Sequence, residues 1–266
     1  MEINRKLSDL RRMDELSAGT SYIHGIHTLF MLLTTFIYIV TLMSFDKYDL
    51  TGILMMFLYP IFMFRLAELS FSESLRKIRY VLPFILFMGI LNIFFDRDPY
   101  LVINGFRLSR GAVSFFTMTV KGFLAVEASY VLIATNSIYD ICAALSMLRL
   151  PRILISLFLL TFRYITVMIE EVANMTEAYS LRAPGQKGLH ISSWGSFLGQ
   201  LLLRSYDKAN ELYLGMEARG YTGDLRNYDI GKPVLKDWIF LIVVSVLVIT
   251  CRLINVPVTI GNLIRR

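Results

Sequence analysis

The chain has 266 residues, of which 55% are hydrophobic and only 18% charged, with a formal net charge of +6. Soluble domains carry about 25% charged residues, and several apolar runs here reach the roughly 18 residues that mark membrane helices, so an ordinary soluble domain is excluded. The runs are evenly spread and lack ten-residue alternation, which excludes a membrane β-barrel. The surplus Lys and Arg flank membrane segments, where the positive-inside bias places them, so the charge implies no nucleic-acid partner. The expected class is an all-α polytopic membrane protein.

Residues 1–25 mix Arg5, Lys6, Arg11 and Arg12 with Glu2, Asp9, Asp14 and Glu15. They read as a cytoplasmic amphipathic arm, and no apolar core marks a cleavable signal peptide. His24 and His27 follow. They read as an interfacial pair, because no nearby carboxylate or cysteine completes a metal ligand set. Apolar spans are expected at 27–45, 50–67, 80–95 and 112–135, and a fifth at 238–254, giving about five transmembrane helices. Pro60 should kink the second. A polar loop with Arg76, Lys77 and Arg79 precedes the third, and residues 96–111 form a loop before the fourth. Lys121 and Glu127 lie inside the fourth span, where ionisable groups are costly. Six apart, they do not share a helix face, and they read as paired with neighbours or snorkelling rather than conducting. Cys142 and Cys251 read as packing residues.

Residues 138–150 read as a short amphipathic helix, and Pro151 suits the first turn of the next. That next helix runs about 30 residues, or roughly 45 Å. Its first half is apolar and its second half is water-compatible. Arg163 falls near the centre of the apolar half, where exposure to lipid is expensive, so an interfacial or protein-buried course is favoured over a span. A further helix is expected over 193–218. Its stripe of Leu198, Leu201, Leu202, Ser205, Ala209, Leu212, Tyr213 and Met216 follows helical spacing. The members Leu198, Leu202, Ala209, Leu212 and Met216 should pack against the preceding helix or a membrane partner. Both long helices end in one device, an Arg among small residues closed by glycine: Leu181-Arg182-Ala183-Pro184-Gly185 and Ala218-Arg219-Gly220.

The resulting divisions are an arm at 1–25, four transmembrane helices at 26–136, a cytoplasmic or interfacial region at 137–232, and a last transmembrane helix with its tail at 233–266. The Lys- and Arg-rich loops at 68–80 and 136–236 place the N-terminus inside. No phosphate loop, HExxH, CxxC pair or GxSxG elbow occurs. No enzyme, cofactor or metal site is therefore expected in this chain, and any nucleotide would be hydrolysed by another one.

The stretches LLTFRYI-x-VM-x-EE and LLLRSYD-x-A-x-E-x-Y-x-GMEARGYTG, in that order within residues 149–223, resemble the transmembrane (T) component of energy-coupling factor transporters of the CbiQ type, from cobalt and nickel importers. The resemblance implies a membrane scaffold with long cytoplasmic coupling helices. It implies two ATP-binding ATPase partners, each docking one helix tip, and a substrate-binding membrane subunit of the CbiM kind, all held in membrane lipid. Carried over, the docking residues are Arg182 and Ala183, then Ala218, Arg219 and Gly220. The second tip matches the family's Ala-Arg-Gly motif fully. The first departs from it, with Leu before the Arg and Ala after. Two alternatives stand beside this reading. One is a T component importing vitamins. The other is a stand-alone channel or secondary transporter using Lys121, Glu127 and Arg163.

Overall fold

The computed structural model describes residues 19, 21–95, 99–103, 106–186, 188–221 and 231–253. The arm at 1–18, the polar link at 222–230 and the tail carrying Arg265 and Arg266 lie outside the described residues. The described chain is all-α apart from one hairpin. Its helices are α1 (Thr28–Met43), α2 (Leu50–Met55), α3 (Leu58–Ala67), α4 (Phe71–Phe95), α5 (Arg110–Thr135), α6 (Ile138–Met147), α7 (Arg152–Arg182), α8 (Trp194–Ala218) and α9 (Leu235–Leu253). Two compact units form: residues 19–137 with 231–253, and residues 138–221.

In the first unit α5 is the hub, touching α1, α2, α3 and α4. Its buried line of Ser114, Thr117, Leu124, Ala128, Val131 and Thr135 recurs at helical spacing. Lipid supplies no hydrophobic drive between helices, so close fit must hold them. The fit between α4 and α5 is tight and reciprocal. A Cβ on Gly122 would lie 2.9 Å from Ile85, and one on Gly89 would lie 2.8 Å from Phe115. Helix α1 packs against α5 and α9. Tyr38 stacks on Tyr59 with ring centroids 4.2 Å apart, and its hydroxyl donates to the Met56 carbonyl at 3.0 Å.

Asp237 ties the starts of α1 and α9. It is 3% exposed. One carboxylate oxygen accepts the His27 N–H at 3.0 Å and the other the Val234 N–H at 2.8 Å. His27 in turn caps α1, its Nδ1 accepting from the Leu29 N–H at 3.2 Å, while His24 bonds Ser21 at 2.7 Å. Both histidines thus serve local structure.

The ionisable groups of α5 tie helices together. Lys121 donates to the carbonyl of Phe45, just beyond the end of α1, where Arg252 of α9 also donates to the Ser44 carbonyl at 3.0 Å. Cations suit the carbonyl-rich end of a helix. Glu127 is fully buried and accepts from Ser74 of α4 at 2.5 Å. Lys121 and one oxygen of Glu127 are thus paired with neighbours, while Glu127 Oε1 is buried without a hydrogen-bond partner among the described residues.

Three details correct the sequence reading. The second span is broken: the chain turns at Met56 and Phe57 between α2 and α3. Pro60 brings no N–H for the Met56 carbonyl and its ring crowds that group, so the break falls one turn before the proline. The expected polar loop at 68–80 is instead the first part of α4, which starts at Phe71. Ser70 followed three residues later by Glu73 is the helix-start pattern that marks it. The loop at 96–111 contains antiparallel strands β1 (Pro99–Ile103) and β2 (Phe106–Ser109), with Ile103 opposite Phe106 and Leu101 opposite Leu108.

Helices Gly111–Thr135 and Arg152–Arg182 are each long and apolar enough to cross a membrane. Arg163 is exposed among the described residues, so of the interfacial or protein-buried course expected in place of a span, burial is not realised by the described helices.

Candidate functional site: the coupling-helix pair

The second unit holds α6, α7 and α8. Helix α7 has 31 residues and α8 has 25, so they extend roughly 46 and 37 Å at 1.5 Å per residue. They run antiparallel. Tyr179 of α7 meets Ser193 before α8 at 3.3 Å, Glu171 pairs with Arg204, and Tyr164 and Val167 line a cleft with Leu212, Gly215 and Met216. Tyr179 also donates to Gln186 in the intervening loop at 2.9 Å. The Glu171–Arg204 pair joins the two stretches that carry the family resemblance. On the other side Tyr139 of α6 meets Phe162 of α7 edge-on at 6.5 Å.

The two helices do not end in one device, as the sequence reading held. At the end of α8, Gly220 N–H donates to Glu217 at 2.9 Å and Tyr221 N–H to Met216 at 3.0 Å. Those paired bonds define a Schellman stop. It requires a left-handed residue, which Gly220 supplies at φ +72°. At the end of α7, Ala183 N–H donates to Tyr179 at 3.0 Å, and Gln186 N–H to Ala183 at 3.3 Å. Pro184 and Gly185, with φ +95° at the glycine, make the corners of that second bond's turn, as type II turns demand. Different closures leave the same product: Arg182 and Arg219 both stand exposed, and neither makes an ion pair or side-chain hydrogen bond among the described residues. Ala183 is half-buried, and Ala218 and Gly220 are exposed beside the second arginine.

A Cβ on Gly220 would meet nothing within 4 Å, so Gly220→Ala tests conformation alone. A left-handed L-residue costs roughly 1–2 kcal/mol. Hydrogen exchange at the Tyr221 amide should quicken by about 5- to 30-fold. Unchanged exchange would reject the Schellman stop as the restraint on this tip.

The expected packing stripe of α8 is split. Leu212 and Met216 are half-buried, on the same side as Phe197, Leu201 and Ser205. Leu198 is 52% exposed and Leu202 70%, with Tyr206 and Tyr213 alongside them, and Ala209 is also exposed. Among the described residues only the first of these lines is covered. The second is open.

The cleft between α7 and α8 has a volume of about 450 Å³ and is lined by Arg163, Tyr164, Val167, Lys208, Glu211, Leu212, Gly215, Met216 and Arg219. Lys208 donates to Glu211 at 3.0 Å. That hydrogen bond, helped by the same carboxylate's charge, holds the Lys208 ammonium above its ordinary range. Sequence reasoning missed this cleft. Arg163 and Lys208 carried no spacing signal, since they come from different helices.

Apolar helices of membrane length, and a helix pair in which the polar chemistry is gathered, define an all-α integral membrane protein. The chain belongs to the CbiQ cobalt transport protein family, whose profile matches residues 19–228. It is 26% identical to an uncharacterised protein of Methanocaldococcus jannaschii over 66% of this chain and 65% of that one. It is 25% identical to the energy-coupling factor transporter transmembrane protein EcfT of Lacticaseibacillus paracasei, over 83% of this chain and 89% of the relative. It is 30% identical to the nickel permease LarQ of Lactiplantibacillus plantarum, over 48% of this chain and 50% of that one. These matches make it an energy-coupling factor transmembrane component of the CbiQ type.

Proposed function

We propose that this chain is the scaffold of an ATP-driven importer. It couples ATP hydrolysis by two partner ATPase subunits to uptake through a substrate-binding membrane subunit. The observation that carries this is the pair of exposed arginines, Arg182 and Arg219, each unpaired among the described residues at the tip of a long helix. A helix is stiff along its axis and transmits displacement. A guanidinium offers five donors in a fixed fork, and the helix C-terminus favours a cation there. The coupling helices face the cytoplasm, where ATP is available. Co-expression of the tagged chain with candidate ATPases, followed by purification in mild detergent, tests the reading: co-elution supports it and recovery of the chain alone rejects it.

The cargo is cobalt or nickel. The family's description names cobalt, and a relative is named as a nickel permease. A second reading is vitamin import: the EcfT relative, whose match covers 83% of this chain where LarQ's covers 48%, carries no metal in its name. Uptake of labelled cobalt, nickel and several vitamins by the full complex separates them, and absence of metal uptake overturns the metal assignment.

The open line on α8 fits a partner's helix. Leu202→Glu should therefore weaken complex assembly more than Lys208→Glu, and it should leave the isolated chain's melting temperature unchanged, because Leu202 is 70% exposed among the described residues. Equal assembly of the two variants in a pull-down would reject this face.

A further inference from the structure

The cleft between α7 and α8 gathers three cations, Arg163, Lys208 and Arg219, against Glu211, which is already bonded to Lys208, while Glu171, also within electrostatic reach of Lys208, is paired with Arg204. Arg163, like Arg219, makes no side-chain hydrogen bond or ion pair among the described residues. The surplus positive charge calls for an anion. The floor of the cleft is apolar, from Val167, Leu212 and Met216, and Gly215 lets a ligand approach the backbone.

The cleft also has an apolar way out along α7. Leu160, Leu157 and Ile153 lie four, seven and eleven residues before Tyr164, and so on the same helix face. Leu157 is 64% exposed and Ile153 68%. This track begins where the water-compatible half of α7 gives way to its apolar half. A cationic cleft joined to an exposed apolar track matches one class of molecule: a phosphate group carrying an acyl chain.

We propose that this cleft binds the headgroup phosphate of an anionic membrane phospholipid. Arg163 and Lys208 hold the phosphate, and an acyl chain lies along Leu160, Leu157 and Ile153. Arg219 completes the cleft, so the bound lipid also steadies the tip that the coupling role uses. An acidic segment of a protein partner would satisfy the charges but leave the apolar track without a purpose.

The test uses the purified full chain in detergent, incubated with phosphatidylglycerol or phosphatidylcholine and examined by native mass spectrometry. Phosphatidylglycerol should be retained in preference to phosphatidylcholine. Two cations that face the anionic headgroup are removed together in Arg163→Gln with Lys208→Gln, so retention should fall by roughly tenfold or more. Leu157→Gln, which touches no charge, should lower retention as well, which separates lipid binding from simple anion binding. Glycerol 3-phosphate at the same concentration should displace none of it. Four results would overturn the proposal: equal retention of both lipids, undiminished retention in the double variant, displacement by glycerol 3-phosphate, or protection of Arg163 from chemical labelling by an added ATPase subunit but not by phosphatidylglycerol. Arg219 is left intact throughout, so failure here says nothing against the coupling role, which is read by ATPase co-purification.

Discussion

Arg219→Glu combined with Arg182→Glu is expected to strip the ATPase subunits from the purified complex and abolish ATP-driven uptake, while the membrane part stays folded. A hydrogen-bonded charge that loses its partner across an interface costs about 2–5 kcal/mol, more than a tenfold loss of affinity at each tip. Both side chains are exposed and bonded to nothing among the described residues, so reversing them removes no hydrogen bond or ion pair among those residues. Its melting temperature should therefore be unchanged. Arg219→Glu alone should have the larger single effect, because the Schellman stop fixes its tip and its motif is complete. A doubly reversed protein that still co-purifies with both ATPases, or one that loses them only by unfolding, would remove the arginines from the coupling role.

Asp237→Ala should produce the largest loss of intrinsic stability. Its two carboxylate oxygens take the N–H groups of His27 and Val234 at 3.0 and 2.8 Å, and the residue is 3% exposed. Truncation leaves the buried His27 N–H without a partner, at about 1–3 kcal/mol, removes the cap on the more exposed Val234 N–H, and frees the starts of α1 and α9. Thermal unfolding in detergent should shift down clearly for Asp237→Ala and less for Asp237→Asn, which keeps an acceptor. An unshifted Asp237→Ala would show that water replaces the carboxylate at no cost. By contrast, Glu171→Ala breaks a pair whose arginine side chain is 52% exposed, and exposed pairs are worth about 0.2–1 kcal/mol. Its effect should lie in the alignment of α7 and α8 rather than in stability.

The helix at 112–135 was legible because an apolar run of membrane length has few other uses, whereas Arg152–Arg182, equally long and apolar enough to cross, was disfavoured as a span because Arg163 interrupts its apolar half. The disturbance at Pro60, though not a full break, and the Gly220 stop were legible because each follows from backbone chemistry of a single residue. The start of α4 was missed because Arg76, Lys77 and Arg79 suggest a loop, although Ser70 and Glu73 mark a helix start. The packing line of α8 was out of phase for a different reason. That helix is apolar along two lines, one through Phe197, Leu201 and Leu212 and one through Leu198, Leu202 and Tyr213. Periodicity finds both and cannot say which is covered within the chain. The Glu171–Arg204 pair and the Arg163–Lys208–Arg219 cleft were invisible for a third reason. Each joins residues far apart in sequence, and only the crossing of two helices brings them together.

The most direct measurement is the subunit composition of the complex, taken by native mass spectrometry after the tagged chain is purified with its co-expressed ATPases and substrate-binding subunit. One copy of this chain with two ATPase subunits and a substrate-binding membrane subunit is the predicted result, with both ATPases lost on reversal of Arg182 and Arg219. Recovery of the chain alone, or of a complex indifferent to those two arginines, would contradict the scaffold role.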